Sequence, residues 1–559
     1  MAGKPKKTGH FLTAVLAAAL GVLGTTAARP DFPLGRDLRI LFNLFRDISL
    51  CYVDSVDTER LLLAAADGMC AELDPYTELI PEKEMDEFET RTTGQYGGIG
   101  AMIRARGDYA AIARPYEGFA ADRAGLVPGD RLLAVDGEDL RGLDIAEVSE
   151  RLKGAPGTAV RLRVEKTLTG EREEIVLERE RVTISGIPYY GIVAEGVGYI
   201  VHDDFSEGCG EDFRRAFAEL KKQGIGSLII DLRGNGGGIL QEAVHILSTF
   251  VPQGTEVVSM RGRIPGSDAT FRTRNAPLDT EIPVAVLIDG ASASAAEIVA
   301  GALQDLDRAV LVGRRTFGKG LVQSTRPLGY NACLKVTTAK YFIPSGRCIQ
   351  ALDYTRRDEN GDVTPVPDSL VREYATAAGR KVYDGGGIAP DVPTRTPPVS
   401  AFAVRLYAGG HIEDFADDFY RRHREGIDPD GFSLSGEEYD RFVRFMQERD
   451  TTGEPETLAA LETLRDGAEQ EECLERIAPQ IEAIEKALRE GRQTDLRRCE
   501  KEIRALLEDE IVLRYRYYAG MLRHAALRDE EVATAAEVLR DGARYREIVT
   551  RQDTPRQRP

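Results

Sequence analysis

The chain of 559 residues is too long for one hydrophobic core, so several domains are expected. Its 42% hydrophobic and 30% charged residues are those of a soluble globular protein. A formal net charge of -19, from 92 acidic and 73 basic side chains with no clustered basic block, argues against nucleic acid as a partner.

At the N-terminus Lys4, Lys6, Lys7 and His10 precede an apolar run from Phe11 to Gly24, then Thr25-Thr26-Ala27-Ala28. A basic head, a short apolar stretch and small residues make a secretory signal over residues 1–28. The run is shorter than the ~20 apolar residues of a membrane-spanning helix, and retention as an N-terminal membrane tether is the alternative. Either way the rest of the chain is expected to be exported, in the periplasm or cell envelope. No Cys ends the run, which argues against a lipid anchor.

Residues 34–92 read as helical: Leu38, Leu41, Phe45 and Ile48 recur at helical spacing, Leu61, Leu62, Leu63 and Met69 form a second series, and both are expected to pack. Asp74-Pro75 marks a turn. Residues 94–182 open with Tyr96-Gly97-Gly98-Ile99-Gly100, a glycine-rich turn feeding a strand. Gly125-Leu126-Val127-Pro128-Gly129-Asp130-Arg131-Leu132-Leu133 follows, then the turn Asp136-Gly137, a helix from Ile145 to Leu152, and strands at Val160–Val164 and Ile175–Leu177. This stretch resembles a PDZ domain. The resemblance implies that a peptide C-terminus adds to an exposed strand, its carboxylate received by backbone N–H groups at Tyr96, Gly97, Gly98, Ile99 and Gly100.

Residues 183–395 alternate strands (Val197–Ile200, Ser227–Asp231, Val284–Ile288, Ala309–Val312) with helices (Phe213–Leu220, Glu242–Phe250, Ala295–Gln304). That rhythm predicts an α/β core with much parallel sheet. Residues 400–551 read as charged helices, with long periodic stretches at 458–489 and 494–527, and 552–559 as a disordered polar tail. The seven cysteines (Cys51, Cys70, Cys209, Cys333, Cys348, Cys473, Cys499) form no CxxC pair and most are expected to be small buried hydrophobes. The six histidines lack metal-binding spacing, so no metal and no cofactor are expected.

Three segments of the α/β region carry chemistry. Asp231-Leu232-Arg233-Gly234-Asn235-Gly236-Gly237-Gly238 follows a buried strand, and its glycines leave N–H groups able to converge on an anion. Asp289-Gly290-Ala291-Ser292-Ala293-Ser294-Ala295-Ala296-Glu297 runs from a strand into a helix; taken alone, Ser294 there reads first as an N-cap, with Glu297 completing a capping box. Thr316-Phe317-Gly318-Lys319-Gly320-Leu321-Val322-Gln323 sets one Lys between glycines among apolar residues; burial there would favour the neutral amine, a surface turn lysine is the alternative, and the local pattern does not decide between them.

In this order, behind the PDZ-like stretch, the segments resemble the carboxy-terminal processing (tail-specific) serine proteases. The resemblance spans about 38–392 and implies a multidomain α+β protein: an N-terminal helical segment, a PDZ domain (small β-sandwich or barrel with helices), a crotonase-like α/β core and a helical C-terminal extension. It implies Ser294 as nucleophile rather than Ser292, Lys319 as general base, Gln323 as its partner, and an oxyanion hole from Ala295 N–H with that of Gly237 or Gly238. The expected partners are proteins or peptides with apolar C-termini; an adaptor and self-association stay open. Residues 351–384 look inserted relative to shorter members, and Ala296 stands where many members have Ser. The competing readings are a catalytically silent PDZ scaffold on a protease-like core and a Ser-His-Asp protease. For the latter, Gly236 stands where the Ser belongs and no His has a triad context; His202 and His245 read as structural.

Overall fold

The computed structural model describes residues 32–359, 361–395, 399–428, 431–447 and 456–550; the expected signal segment and polar tail lie outside the described residues. The chain divides after Leu79 into two units. In the first, helices Phe32–Cys51 and Thr58–Ala71 are joined by a loop in which Asp57 caps the second helix, accepting from the N–H groups of Glu59 and Arg60. The expected packing stripes are not buried: Leu38, Leu41 and Leu62 are exposed, and Ala66 is the buried position of the second helix. Among the described residues of this unit, two helices alone cannot cover both stripes.

The first α-helix of the second unit, Met85–Thr93, is ended by Gly94 in the left-handed conformation. The chain enters the next domain along strand Gln95–Gly98 and leaves it along Glu180–Thr183, and these two strands pair antiparallel as a ribbon. Between them lies an antiparallel sheet in the order Ala101–Arg106, Tyr109–Pro115, Arg131–Val135, Ala159–Glu165, Arg172–Glu178. Strand Ala101–Arg106 is an edge. Beside it runs helix Ile145–Leu152, fixed by a capping box between Asp144 and Glu147 and burying Val148 and Leu152.

The α/β core is a six-stranded sheet ordered Tyr189–Ala194, Val197–Val201, Ser227–Asp231, Val284–Ile288, Val310–Gly313, Val392–Pro393; the first pair is antiparallel and the rest parallel. Four of these strands are buried at every residue, so both faces need a cover. Helices Cys209–Lys222, Leu240–Leu247 and Ala295–Asp305 cover one face. The other face packs against Ala526, Val532, Ala535, Val538, Leu539, Tyr545 and Val549.

The C-terminal helical region therefore does two things. Helices Ala401–Ala408, His411–Arg422 and Gly436–Gln447, with part of Glu500–Arg528, form a core of their own around Phe415, Tyr439, Phe442 and Ile511. Helices Glu530–Arg540 and Gly542–Thr550 cover the second face of the α/β sheet. The expected long stretches are interrupted: Glu472 takes a positive φ of 54° between helices Glu456–Gln470 and Leu474–Arg498, and Arg516-Tyr517 kinks Glu500–Arg528. At that kink the Tyr517 hydroxyl donates to Asp122, and the Arg114 guanidinium lies 3.7 Å from the centroid of the Tyr518 ring. Further along the same contact, Asp417 receives Arg106 at 2.7 Å and Arg514 at 2.8 Å in a buried ion cluster.

All seven cysteines are free thiols; Cys209, Cys333 and Cys499 are buried, Cys51 is exposed and the others are half-buried, so fewer are core residues than expected. The stretch expected to be an insertion carries two hairpins, Leu352–Arg357 with Val363–Pro365 and Glu373–Ala375 with Lys381–Tyr383. Arg380, within the second, binds Asp307, Asp391 and the carbonyl of Gln304, placing a cation at the C-terminal end of helix Ala295–Asp305.

His202, at the end of strand Val197–Val201, is buried beside Phe205 and Phe213. Its Nδ1 lies 3.1 Å from the carbonyl of Gly186 and so carries the proton, while Nε2 is buried without a partner. Burial lowers its pKa from 6.5 to about 4. Folded His202 is neutral, whereas the unfolded chain takes a proton below pH 6.5, so this contribution is whole above pH 6.5 and lost as pH falls toward 4. The expected loss between pH 7 and 4.5 is about 2–3 kcal/mol. Urea unfolding at both pH values should show a pH difference smaller by that amount in His202→Phe; an unchanged difference refutes the assignment.

Candidate active site

The three chemistry-bearing segments leave the C-terminal ends of adjacent parallel strands, at Asp231, Ile288 and Gly313. That is where open α/β sheets gather their sites. Each segment is held by a buried polar side chain rather than by regular structure.

In the glycine segment, Asn235 is fully buried. Its Nδ2 donates to the His202 carbonyl at 2.6 Å, its Oδ1 accepts from Gly237 N–H at 2.8 Å, and its carbonyl accepts from Ala293 N–H at 2.9 Å. One side chain thus shapes the glycine turn and fastens it to the Ser294 segment. Gly237 N–H is committed to Asn235, which leaves Gly238 as the partner of Ala295 in any oxyanion hole. Gly237 sits at φ 94°, and a Cβ there would stand 2.7 Å from the Ser294 Cβ and 2.8 Å from Ala295 N.

In the serine segment, Ser292 is fully buried; its hydroxyl donates to the Leu232 carbonyl at 2.7 Å and accepts from Asp289 N–H at 2.9 Å. Ser294 is half-buried at the mouth of helix Ala295–Asp305, with φ 55° and ψ -116°. That region is sparsely populated for a residue with a side chain and costs about 1–3 kcal/mol. Ala295 N–H, in the first turn, has no intrahelical acceptor.

In the lysine segment, Gly318 at φ 87° and Gly320 let the chain press against Ala351 and Gln350: a Cβ would stand 2.4 Å from the Ala351 side chain or 2.8 Å from Gln350 N. Lys319 between them is half-buried. The Gln323 Nε2 donates to Thr337 Oγ1 at 3.1 Å across the hairpin Leu321–Gly329/Ala332–Phe342.

The serine and lysine segments meet on Glu297. Its carboxylate accepts from Thr316 Oγ1 at 2.5 Å, Gly318 N–H at 2.8 Å, Lys319 N–H at 2.8 Å and Ser294 N–H at 3.0 Å. Burial pushes the carboxyl above its ordinary range, against four donors that favour the ionised form. The spacing of Ser294 and Glu297 reads as a helix cap; the structure adds three donors from a segment some twenty residues on. The available signal is a lone Glu in a helix otherwise made of Ala, Ile, Val, Gly and Leu through Leu303. Arg233, inside the glycine segment, has no role that the sequence pattern assigns. It binds Asp231 and reaches Asp529 at 2.7 Å and Glu531 at 2.8 Å, joining the glycine segment to the last helices.

The expected carboxylate-binding turn is shorter than Tyr96–Gly100. Tyr96, Gly97 and Gly98 lie in the ribbon, paired with Val182, Arg181 and Glu180, because the strand that leaves the domain returns beside them. Ile99 and Gly100 make the turn, their carbonyls accepting from Ala121 and Tyr116 N–H groups at 2.8 and 2.9 Å. The Tyr96 ring lies over Gly98.

A sequence profile of peptidase family S41 matches residues 196–356, a PDZ-domain profile 112–166, and one described as the C-terminal helical domain of a probable PDZ-protease 402–539. The carboxy-terminal-processing protease of Bartonella bacilliformis is 31% identical over 351 residues, 62% of this chain and 80% of that protein. The chain belongs to the carboxy-terminal processing proteases of family S41. It is a serine-type peptidase with a PDZ domain, an α/β protease core and a C-terminal helical domain. A probable CtpA-like serine protease of Staphylococcus aureus (strain COL) is 31% identical over 318 residues, 56% of this chain and 62% of that one. Among solved structures, a photosystem II D1 C-terminal processing protease is 25% identical, with a TM-score of 0.33 over 63% of this chain and 85% of that chain.

For this protease, Gly237→Ala should cut kcat/KM by about 100-fold or more, because the added Cβ collides with Ser294 and alanine does not tolerate the φ of Gly237. Peptide cleavage at near wild-type rate by the folded variant would contradict the placement of this loop.

Proposed function

We propose that the protein is an exported serine endopeptidase that binds protein C-termini through its PDZ domain and cleaves peptide bonds with a Ser294–Lys319 dyad through an acyl-enzyme. The observation that carries the reading is the single Glu297 carboxylate holding the N–H groups of both Ser294 and Lys319. It brings to one place two residues that the sequence separates.

In this mechanism the neutral Lys319 amine takes the Ser294 proton as Oγ attacks the scissile carbonyl. The developing oxyanion is received by the N–H groups of Ala295 and Gly238, with the positive end of helix Ala295–Asp305 behind them. Lys319 then returns the proton to the leaving amine, and water, deprotonated by the same amine, releases the acyl group. Gln323, whose Nε2 donates to Thr337, serves as the partner of Lys319. Ser292 is unsuited to attack because its hydroxyl is buried and already bonded.

Recognition is proposed at the edge strand Ala101–Arg106, beside helix Ile145–Leu152, where a peptide adds as a further strand and its carboxylate meets the turn at Ile99–Gly100. Ala101 and Ile103 lean on the domain core, which suits an apolar terminal residue. Export rests on the basic head and apolar run of residues 1–28, with the cell envelope as the compartment.

Ser294→Ala and Lys319→Ala should each abolish peptide cleavage with folding preserved, while Ser292→Ala stays active but loses about 1–3 kcal/mol of stability with its buried hydrogen bonds. Activity should fall on acidification, since an ammonium takes no proton; a fully active Ser294→Ala protein ends the dyad assignment. Below KM, a peptide with an apolar terminal residue should be cleaved faster as the free acid than as the amide. Equal rates would leave the PDZ domain without a role in reading C-termini.

A further inference from the structure

Tyr341, in strand Ala332–Phe342, is 1% exposed and sits in the core under helix Ala295–Asp305. Its backbone N–H donates to the Gly320 carbonyl at 3.0 Å, so the residue lies directly behind the lysine segment. Its hydroxyl faces two backbone carbonyls, that of Ser294 at 3.1 Å and that of Lys319. A phenol has one hydrogen to donate, so the two carbonyls share it. On the other side Glu297 accepts from the N–H groups of the same two residues.

The two side chains therefore grip Ser294 and Lys319 at both backbone polar groups, one at the donors and the other at the acceptors. A core tyrosine needs one acceptor for its hydroxyl, and either carbonyl would serve. Bridging these two is what sets the hydroxyl apart from a satisfied core group. A lysine side chain is long and flexible, so its amine meets the serine only if the two backbones keep a fixed offset.

We propose that Tyr341 is a positioning residue which, opposite Glu297, fixes the offset between the Ser294 and Lys319 backbones and so the reach of the amine to the hydroxyl. The proposal rests on the Ser294–Lys319 reading. A displacement of about 1 Å in such a pair costs about 100-fold in rate, whereas substrate binding along the PDZ edge strand does not depend on it.

The test uses the full chain as wild type, Tyr341→Phe, Glu297→Gln and the double variant, with Ser294→Ala and Lys319→Ala alongside. Phenylalanine fills the same space and removes only the hydroxyl. Tyr341→Phe should fold, lose about 10- to 100-fold in kcat with KM within about twofold, and react with a fluorophosphonate probe more slowly by a like factor. Because both side chains act on one offset, the double variant should fall little below the worse single variant rather than show the product of both losses. An unchanged kcat in Tyr341→Phe, a loss confined to KM, multiplied losses in the double variant, or a Tyr341→Phe protein that does not fold would each overturn the proposal; the last would make the hydroxyl a stability element. The underlying reading fails separately: cleavage by Ser294→Ala or Lys319→Ala removes the dyad, whereas two dead dyad variants beside a fully active Tyr341→Phe remove the clamp alone.

Discussion

Strands Val197–Val201, Ser227–Asp231 and Val284–Ile288 are buried at every residue, and parallel strands of this kind exist only between two covering layers. The crossover helices of the α/β core supply one layer because each right-handed connection returns on the same side. The second layer comes from the far end of the chain, where Ala535, Val538 and Leu539 pack on Tyr199, Ile229, Ala285 and Val310. Tyr545 adds a polar stitch, its hydroxyl accepting from Val284 N–H at 3.2 Å and donating to the Arg308 carbonyl at 3.2 Å. The last helices are thus as much part of the protease core as the strands they cover. Contacts over so long a separation form late in folding, after the loop entropy has been spent.

The same constraint decides where the polar atoms of the site stand. With both faces of the sheet sealed, the backbone opens only at the strand ends, and three adjacent C-terminal ends deliver the glycine, serine and lysine segments side by side. Each segment needs irregular backbone, and irregular backbone near a core must have its N–H and C=O groups met. Asn235, Asp289 and Glu297 meet them. Asp289 accepts from Gly234, Ala291 and Ser292 N–H groups, so it does for the start of the serine segment what Glu297 does for its end. A buried carboxylate needs donors, and with four of them Glu297 becomes the fixed point on which two loops agree.

How much of this the sequence discloses follows the range of each interaction. The α/β rhythm, the helix at Ile145–Leu152 and the edge-strand domain were legible, because apolar periodicity and turn residues act over a few positions. The three chemistry-bearing segments stood out only through their joint resemblance to a protease family; taken singly, Ser294 reads as a helix cap and Lys319 as a turn lysine. What periodicity cannot report is the partner. The helical stripe around Val538 reads as an amphipathic face, yet nothing local says that it covers a sheet begun more than three hundred residues earlier. Tyr341 reads as one more apolar strand position, and Glu297 as a cap three residues into a helix. Gly97 and Gly98 read as turn residues, but their pairing with Arg181 and Glu180 draws them into a ribbon. The interruptions at Glu472 and Arg516-Tyr517 fall inside good helical pattern; the second places two tyrosines against Asp122 and Arg114 of the PDZ domain, so tertiary contact overrides propensity there.

The glycine segment shows why such distant partners were needed. A run that keeps its N–H groups unhindered has no side chains with which to hold itself, so its shape must be imposed by the residues around it. Asn235 imposes it from within. After the run, the Ile239 N–H donates to the Phe205 carbonyl at 2.8 Å. Before the run, Arg233 is surrounded by Asp231, Asp529 and Glu531; burial opposes its charge, but Asp231 and then Asp529 outweigh that and raise its pKa. One guanidinium among three carboxylates, mostly withdrawn from water, is a geometry that tolerates little displacement. Asp529 also caps helix Glu530–Arg540 by accepting from the N–H groups of Glu531 and Val532. The residue that starts the covering helix is therefore one that steadies the glycine loop, and the closing of the sheet and the shaping of the site are one event rather than two.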